Sequence, residues 1–224
     1  RILGFNSEGP FLNPKKKGAQ QLEHLSECKS YYLRELIAAA SGMLKMMVIA
    51  PELPGAGELI ELMDNRNIVP AMGHTDADFD QVLDGEKKGI RHVTHCYNAM
   101  RGIEHREPGG AGAALVRDEL ACEIIADGIH VHPAAVRLLV KAKPKDKVIL
   151  ITDAIQVAGL PDGEYNQLGK KVFVKNGEAR LDPKTLAGST LFMNCGLKNI
   201  IEYGELTLPE GVLTASLNPA KVLG

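Results

Sequence analysis

Two histidines of this sequence, His74 and His95, each follow a short apolar or β-branched run, and they lie 21 residues apart. Two neutral imidazoles and one carboxylate suit a Zn²⁺-like ion and leave a position for water. Glu8 is the natural third ligand, because it also follows a run that reads as a strand. These three side chains therefore predict a hydrolytic metal site.

Three further polar side chains stand at or just after the ends of apolar runs: Glu52, His130 and Asp153. A single histidine in such a place is more often a hydrogen-bonded structural residue than a ligand. Six such groups in succession favour a functional site. Glu52 precedes a proline-glycine turn, so it is either a ligand or a residue that orients its neighbours or caps a helix.

Asp153 ends the wholly apolar run VILIT, which places its carboxylate at a partly desolvated edge. A nearby cation favours the ionised form of such a carboxylate. Asp153 could then take a proton from water and later give it to a leaving group. The alternative is that Asp153 only caps the turn that follows.

The elements that must position these groups alternate between short apolar runs and amphipathic segments. Strands are predicted over 1–5, 46–50, 68–73, 92–95, 122–127 and 148–153. Helices are predicted over 31–43, 56–67, 78–89 and 132–143. This order is typical of an α/β fold, either a (β/α) barrel or an open doubly wound sheet. In a barrel the carboxyl ends of the strands share one rim, so His74 and His95 would face one point.

The chain changes character after Asp153, where turn residues and short alternating runs over 159–185 predict a small β excursion. Two glycine-rich pieces, 107–115 and 186–191, are weak candidates for binding an anion through backbone N–H groups. The chain starts without methionine in what already reads as a strand, so we expect that further sequence precedes it.

Composition excludes several classes of partner. The 224 residues carry 26 basic and 28 acidic side chains without a basic block, which argues against nucleic acid or anionic lipid. No apolar run approaches the roughly 20 residues that span a bilayer. The residues from Arg1 onward do not have the pattern expected of a signal peptide. We therefore expect a cytoplasmic protein whose partners are small molecules or other proteins.

Nine motifs, in order from about residue 4 to residue 224, resemble those of one enzyme family. They are SEGPFLNPKKKGA, APE, GHTDA, THCYNAM, REPGGAGA, DGIHVHP, ITDAI, LAGSTL and NPAKVLG. Together they are similar to the N-acetylglucosamine-6-phosphate deacetylases of the amidohydrolase superfamily. The resemblance implies that residues 1–224 form one domain, part of a metal-dependent hydrolase with a (β/α)8 TIM barrel that is incomplete at its N-terminus.

The resemblance also implies a role for individual residues. The metal ligands would be Glu8, His74 and His95, and Asp153 would be the catalytic acid and base. His130 would stabilise the developing oxyanion and contact the substrate. The remaining residues implied to bind the sugar phosphate are Asn98, Ala99, Arg106 and Gln20. A guanidinium suits this task because its planar donors match two phosphate oxygens.

The implied reaction releases acetate from N-acetylglucosamine 6-phosphate and leaves glucosamine 6-phosphate. Zinc is the expected metal, with iron, manganese and cobalt as alternatives. Family members are commonly homodimers, in which the arginine at position 106 can reach the neighbouring subunit's site.

Two substitutions depart from the family pattern. Asn6 and Gln20 stand where the family usually has histidines. The resemblance further implies that the first strands of the family barrel, and a small β-sandwich built from both chain ends, lie outside this sequence. Two alternatives therefore stay open: the same metal centre acting on another N-acyl sugar phosphate or amine, and an inactive fragment.

Overall fold

The computed structural model describes residues 2–167 and 169–224 and contains two compact units. The first comprises Arg1–Lys17, Gln21–Cys122 and Ala220–Gly224, and the second comprises Gly18–Gln20 and Glu123–Pro219. Among the described residues, no helix is both long and apolar enough to cross a membrane.

The first unit is built on parallel strands that are neighbours in chain order. They are β1 (Phe5–Glu8), β2 (Leu44–Ile49), β3 (Val69–Met72), β4 (His92–Val93) and the first residues of β5 (Ala121–Ile125). The helices that connect them are α1 (Ser30–Ala39), α2 (Ala56–Asp64), α3 (Phe79–Lys88) and α4 (Gly109–Val116). Parallel strands need such crossovers, which explains the alternation in the sequence.

Apolar side chains of β2 and α2 form much of the core of this unit. Met47, Ile49, Leu59, Ile60 and Met63 are all fully buried. Burial of each such side chain contributes about 1.5–3 kcal/mol. The strands are therefore held firmly, and their carboxyl ends give fixed positions to the residues that follow.

Helix α3 begins and ends at residues that suit helix termini. Asp78 and Gln81 form a capping box, in which the Gln81 N–H donates to Asp78 Oδ1 at 2.8 Å and the Asp78 N–H donates to Gln81 Oε1 at 3.0 Å. Gly89 ends the helix with a φ of 130°, a conformation that residues with a Cβ rarely adopt. The start of α3 fixes the far end of the loop that carries His74.

The second unit contains two kinds of β-structure. Its parallel part consists of the last residues of β5, α5 (Pro133–Ala142) and β6 (Val148–Ile151), which is the neighbour of β5 in the strand order. An antiparallel sheet follows, made of β7 (Gly163–Gln167), β8 (Lys170–Lys175), β9 (Glu178–Arg180) and β10 (Leu186–Ser189). Three helices complete the chain: α6 (Met193–Gly204), α7 (Leu208–Thr214) and α8 (Leu217–Leu223).

The antiparallel sheet agrees with the β excursion predicted after Asp153. Its core consists of small apolar residues, Val157, Val172, Val174, Ala179 and Ala187. The alternation of buried and exposed residues along β8 is that of a strand with one solvated face.

The prediction of a strand over residues 1–5 was wrong in position. The strand is Phe5–Glu8, and its ladder begins where the Phe5 N–H donates to the Met43 carbonyl at 2.8 Å. Ile2 and Leu3 are 82% and 62% exposed. The apolar residues at the start of the chain predicted the wrong segment, because the mostly polar segment FNSE pairs with β2.

The glycine-rich segment 107–115 forms helix α4 rather than an anion-binding loop. A Cβ on Gly112 would lie 2.4 Å from the Pro108 side chain, so close packing explains a glycine that helix propensity disfavours. The Gly109 N–H donates to Glu107 Oε1 at 3.0 Å, and so does the Phe79 N–H at 3.1 Å. A carboxylate of the chain itself therefore lies where an anion would bind.

Candidate metal centre and active site

Three predicted ligands converge in the first unit. Glu8 is the last residue of β1, while His74 and His95 each lie two residues beyond the end of a strand, β3 and β4 respectively. Glu8 Oε1 lies 2.7 Å from His74 Nε2 and 3.0 Å from His95 Nε2, and the two Nε2 atoms are 3.1 Å apart. The imidazoles are buried, whereas the Glu8 side chain is 35% exposed. Of the described residues, these form the one group suited to hold a metal ion.

Both histidines have left-handed backbone conformations, with φ of 47° at His74 and 30° at His95. Non-glycine residues rarely adopt this region, and the strain costs on the order of 1–3 kcal/mol per residue. The backbone before His74 also packs closely against its neighbours, since a Cβ on Gly73 would lie 2.7 Å from the Val48 side chain. Strain repeated at two converging side chains is typical of a functional site.

The tautomer of His74 suits a ligand. Its Nδ1 lies 2.8 Å from the carbonyl oxygen of Lys16, which can only accept a hydrogen bond. Nδ1 therefore carries the proton, and in the neutral ring Nε2 presents its lone pair to Glu8 and His95. Glu8 Oε1 and His74 Nε2 are then two acceptors 2.7 Å apart, so a proton or a metal ion must lie between them.

The separations of the three donor atoms fit a tetrahedrally bound divalent metal ion. Ligand atoms about 2.0–2.2 Å from such an ion are at least about 3.3 Å apart. The three observed separations, 2.7, 3.0 and 3.1 Å, need only a small outward movement to reach that value. Glu8 and the two histidines would hold the ion and leave a fourth position open.

The Glu8 carboxyl is ionised at neutral pH. Burial alone would raise the pKa of Glu8, but when the His74 and His95 rings are protonated, their hydrogen bonds and positive charges lower it well below its usual range. The carboxylate is therefore ready to bind a cation without first losing a proton.

The segment after His95 places Asn98 and Ala99 close to the cluster in sequence and structure. The Asn98 N–H donates to the His95 carbonyl at 2.9 Å, and the Ala99 carbonyl accepts from the Thr75 N–H at 3.0 Å. Ala99 has a φ of 49°. Two predicted substrate-binding residues are thus tied to the loops that carry His74 and His95.

Arg106 lies in the exposed segment before α4. Within residues 2–167 and 169–224, no hydrogen bond or ion pair engages its guanidinium. By contrast, Arg101 pairs with Asp76, and so does Lys16, at nitrogen–oxygen distances of 3.3 and 3.7 Å. Arg106 is therefore a basic group available to bind another molecule.

His130, in the second unit, forms a buried pair with Asp127. His130 Nδ1 lies 2.6 Å from Asp127 Oδ2, and each side chain is 7% exposed. Burial raises the pKa of Asp127, but hydrogen bonds from the His130 ring and from the Ile129 N–H outweigh it and lower that pKa. Asp127 fixes the ring orientation and leaves His130 Nε2 as the ring nitrogen available to another molecule.

Asp153 follows β6 with a φ of 49°, and it is half-buried. The Ser189 N–H donates to the Asp153 carbonyl at 2.8 Å, and the Ile155 N–H donates to the Ser189 carbonyl at 3.0 Å. Strand β10 of the antiparallel sheet thus holds the backbone at Asp153 and at Ile155. Gln20 is also in the second unit, where it is half-buried beside Ala19, whose carbonyl accepts from Lys170 Nζ at 2.6 Å.

Sequence reasoning missed the role of Asp127. The D-x-x-H spacing lets one carboxylate accept from the His130 ring and from the backbone N–H groups at 129 and 130, each of the latter at 2.8 Å. This arrangement is a local turn, so the spacing itself was the available signal.

Comparison with known proteins gives a consistent family. No family model matches the chain. N-acetylglucosamine-6-phosphate deacetylase of Bacillus subtilis is 42% identical over 223 residues, which are 100% of this chain and 56% of that protein. N-acetylgalactosamine-6-phosphate deacetylase of Escherichia coli O157:H7 is 39% identical, over 100% of this chain and 59% of that protein.

Solved structures agree with the sequence relatives. An aspartate-to-alanine variant of the Mycobacterium smegmatis N-acetyl-D-glucosamine-6-phosphate deacetylase, in complex with N-acetyl-D-glucosamine-6-phosphate, superposes with a TM-score of 0.95 at 35% identity. The match covers 99% of this chain and 59% of that one. This chain thus spans somewhat more than half the length of the relatives that it matches. It belongs to the N-acetylglucosamine-6-phosphate deacetylase family of the amidohydrolase superfamily.

Proposed function

We propose that this protein hydrolyses the acetamide of N-acetylglucosamine 6-phosphate to acetate and glucosamine 6-phosphate. The observation that carries the proposal is the convergence of Glu8, His74 and His95, whose donor atoms lie within 4.8 Å of one another. Family membership supplies the substrate class. Zinc is the metal that best suits two imidazoles and a carboxylate, with iron, manganese and cobalt as alternatives.

A bound divalent ion would supply a Lewis acid for the water and for the amide carbonyl. Asp153 would accept a proton from the attacking water as the new carbon–oxygen bond forms. It would then give that proton to the nitrogen as the carbon–nitrogen bond breaks. His130 Nε2, when protonated, would donate to the carbonyl oxygen as negative charge develops there.

We also propose that the parallel strands belong to a (β/α)8 barrel. β1 and β6 end the strand order, and an apolar groove of about 360 Å³ lies beside β1, lined by Phe5, Leu36, Met43 and Met47 among others. Further barrel elements would cover this groove. A single barrel domain and a homodimer complete the proposal and rest on family membership. We also propose a cytoplasmic location, which rests on the sequence pattern.

Acetate release from N-acetylglucosamine 6-phosphate tests the proposed function. We expect release that depends on added divalent metal, with about one ion bound per chain. A chelator should abolish release, and zinc should restore it. Release from N-acetylgalactosamine 6-phosphate alone would move the assignment to that isomer. No release from either sugar by the metal-loaded protein would overturn the proposal.

Arg106→Ala tests the phosphate contact. A charged hydrogen-bonded pair contributes about 1.5–3 kcal/mol, so KM for the phosphorylated sugar should rise about 10- to 100-fold with little change in kcat. Hydrolysis of N-acetylglucosamine without the phosphate should not change. Arg66→Ala removes an exposed arginine after α2 and serves as the control. An equal loss for both sugars would show that Arg106 does not bind phosphate.

A further inference from the structure

Glu52, in the turn after β2, gathers three hydrogen bonds on its carboxylate. Its Oε1 accepts from Asn13 Nδ2 at 2.8 Å and from the Asp76 N–H at 2.7 Å. Its Oε2 accepts from Thr75 Oγ1 at 2.5 Å. The donors come from two separate segments, one after β1 and one after β3. Glu52 therefore joins two loops that the strands alone do not connect.

Both loops hold His74. The Asn13 N–H donates to the His74 carbonyl at 2.9 Å, and the Lys16 carbonyl accepts from His74 Nδ1 at 2.8 Å. Thr75 and Asp76 follow His74 directly. Backbone and ring of this histidine are thus fixed by the segments that the Glu52 carboxylate ties together.

Glu52 lies outside the group of side chains suited to hold an ion, as far as the structure describes the chain. We propose that Glu52 is a positioning residue that sets the affinity of the metal site by holding the loops around His74. This inference rests on the proposed metal-dependent function and adds a determinant of metal affinity. It also decides between the two roles that the sequence left open for Glu52.

A carboxylate suits this position better than any other side chain. An ionised carboxylate has lone pairs for three donors and carries no hydrogen that would itself need an acceptor. Thr75 is fully buried, and its Oγ1 also accepts from the Ala77 N–H at 3.0 Å. Loss of the carboxylate would leave the Thr75 hydroxyl proton without its acceptor, and a buried unmatched donor is costly. The loop would then rearrange and carry His74 with it.

The test measures the zinc dissociation constant of the purified protein by competition with a chelator. Outer partners of metal ligands typically change metal affinity 10- to 100-fold, so we expect Glu52→Ala to weaken zinc binding by about that factor. Glu52→Gln keeps one oxygen for Asn13 and Asp76, so the expected loss is less than about tenfold. Glu61→Ala, at an exposed position in α2, should bind zinc as the unchanged protein does.

A second pair of variants tests the path through Thr75. Thr75→Val removes the hydroxyl and keeps the shape, so zinc binding should weaken, whereas Thr75→Ser should retain most of the affinity. These variants and Glu52→Gln decide the question if Glu52→Ala does not fold, as judged by its thermal unfolding.

Two results would overturn the inference while leaving the proposed function intact. One is wild-type zinc affinity in folded Glu52→Ala, or in both Glu52→Gln and Thr75→Val. The other is an equal loss in Glu52→Gln and Glu52→Ala, which would make charge rather than positioning the cause. If the unchanged protein binds no zinc, the proposed function and the role of Glu52 both fail.

Discussion

His74→Asn is expected to lose its metal ion and, with it, acetate release. Asparagine tolerates the left-handed backbone at this position, and its amide can still donate to the Lys16 carbonyl. It lacks the Nε2 atom that faces Glu8 and His95. Metal content should fall from about one ion per chain to a small fraction, and kcat/KM should fall about 10³-fold or more, since a Lewis acid supplies several kcal/mol.

The control for this variant is a histidine outside the cluster. His24 is exposed and lies in a short 3-10 turn, so His24→Asn should keep both metal and activity. Metal analysis after dialysis and an acetate assay distinguish the two variants. A His74→Asn protein that retains one tightly bound ion would show that His74 is not a ligand.

The cluster of Glu8, His74 and His95 could be predicted because each residue is recognised from its own short stretch of sequence. Each of Glu8, His74 and His95 stands at or within two residues of the end of a strand, and parallel strands bring such ends to one edge. The predicted strand at 1–5 was displaced, yet Glu8 still stands at the end of β1, since strand order rather than strand bounds determines which residues meet. The roles of Asp153, His130 and the substrate-binding residues stay predictions.

Interactions between loops could not be predicted in the same way. The three hydrogen bonds of Glu52 depend on how the segments after β1 and β3 fold beside the end of β2. Helix α4 depends on the packing of Gly112 against Pro108, which opposes intrinsic helix propensity. Periodicity describes elements that bury one face, and it carries little information about irregular segments held by side chains.

Asp153→Asn should leave the metal bound and remove most of the catalysis. The amide has the shape of the carboxylate but cannot take a proton from water, and general acid–base catalysis contributes about 10²- to 10⁴-fold. Asparagine also tolerates the φ of 49° at this position, so the contacts of the Asp153 backbone with Ser189 should persist. We therefore expect kcat to fall by about that factor while KM and zinc content change little.

Comparison of His74→Asn with Asp153→Asn distinguishes a metal ligand from a catalytic base. His74→Asn should lose zinc and activity together, whereas Asp153→Asn should lose activity alone. Asp118→Asn, which changes an exposed aspartate, controls for loss of charge. If Asp153→Asn turned over at the rate of the unchanged protein, the proton would have to move through another group. If it lost zinc as well, Asp153 would act through the metal site rather than as the base.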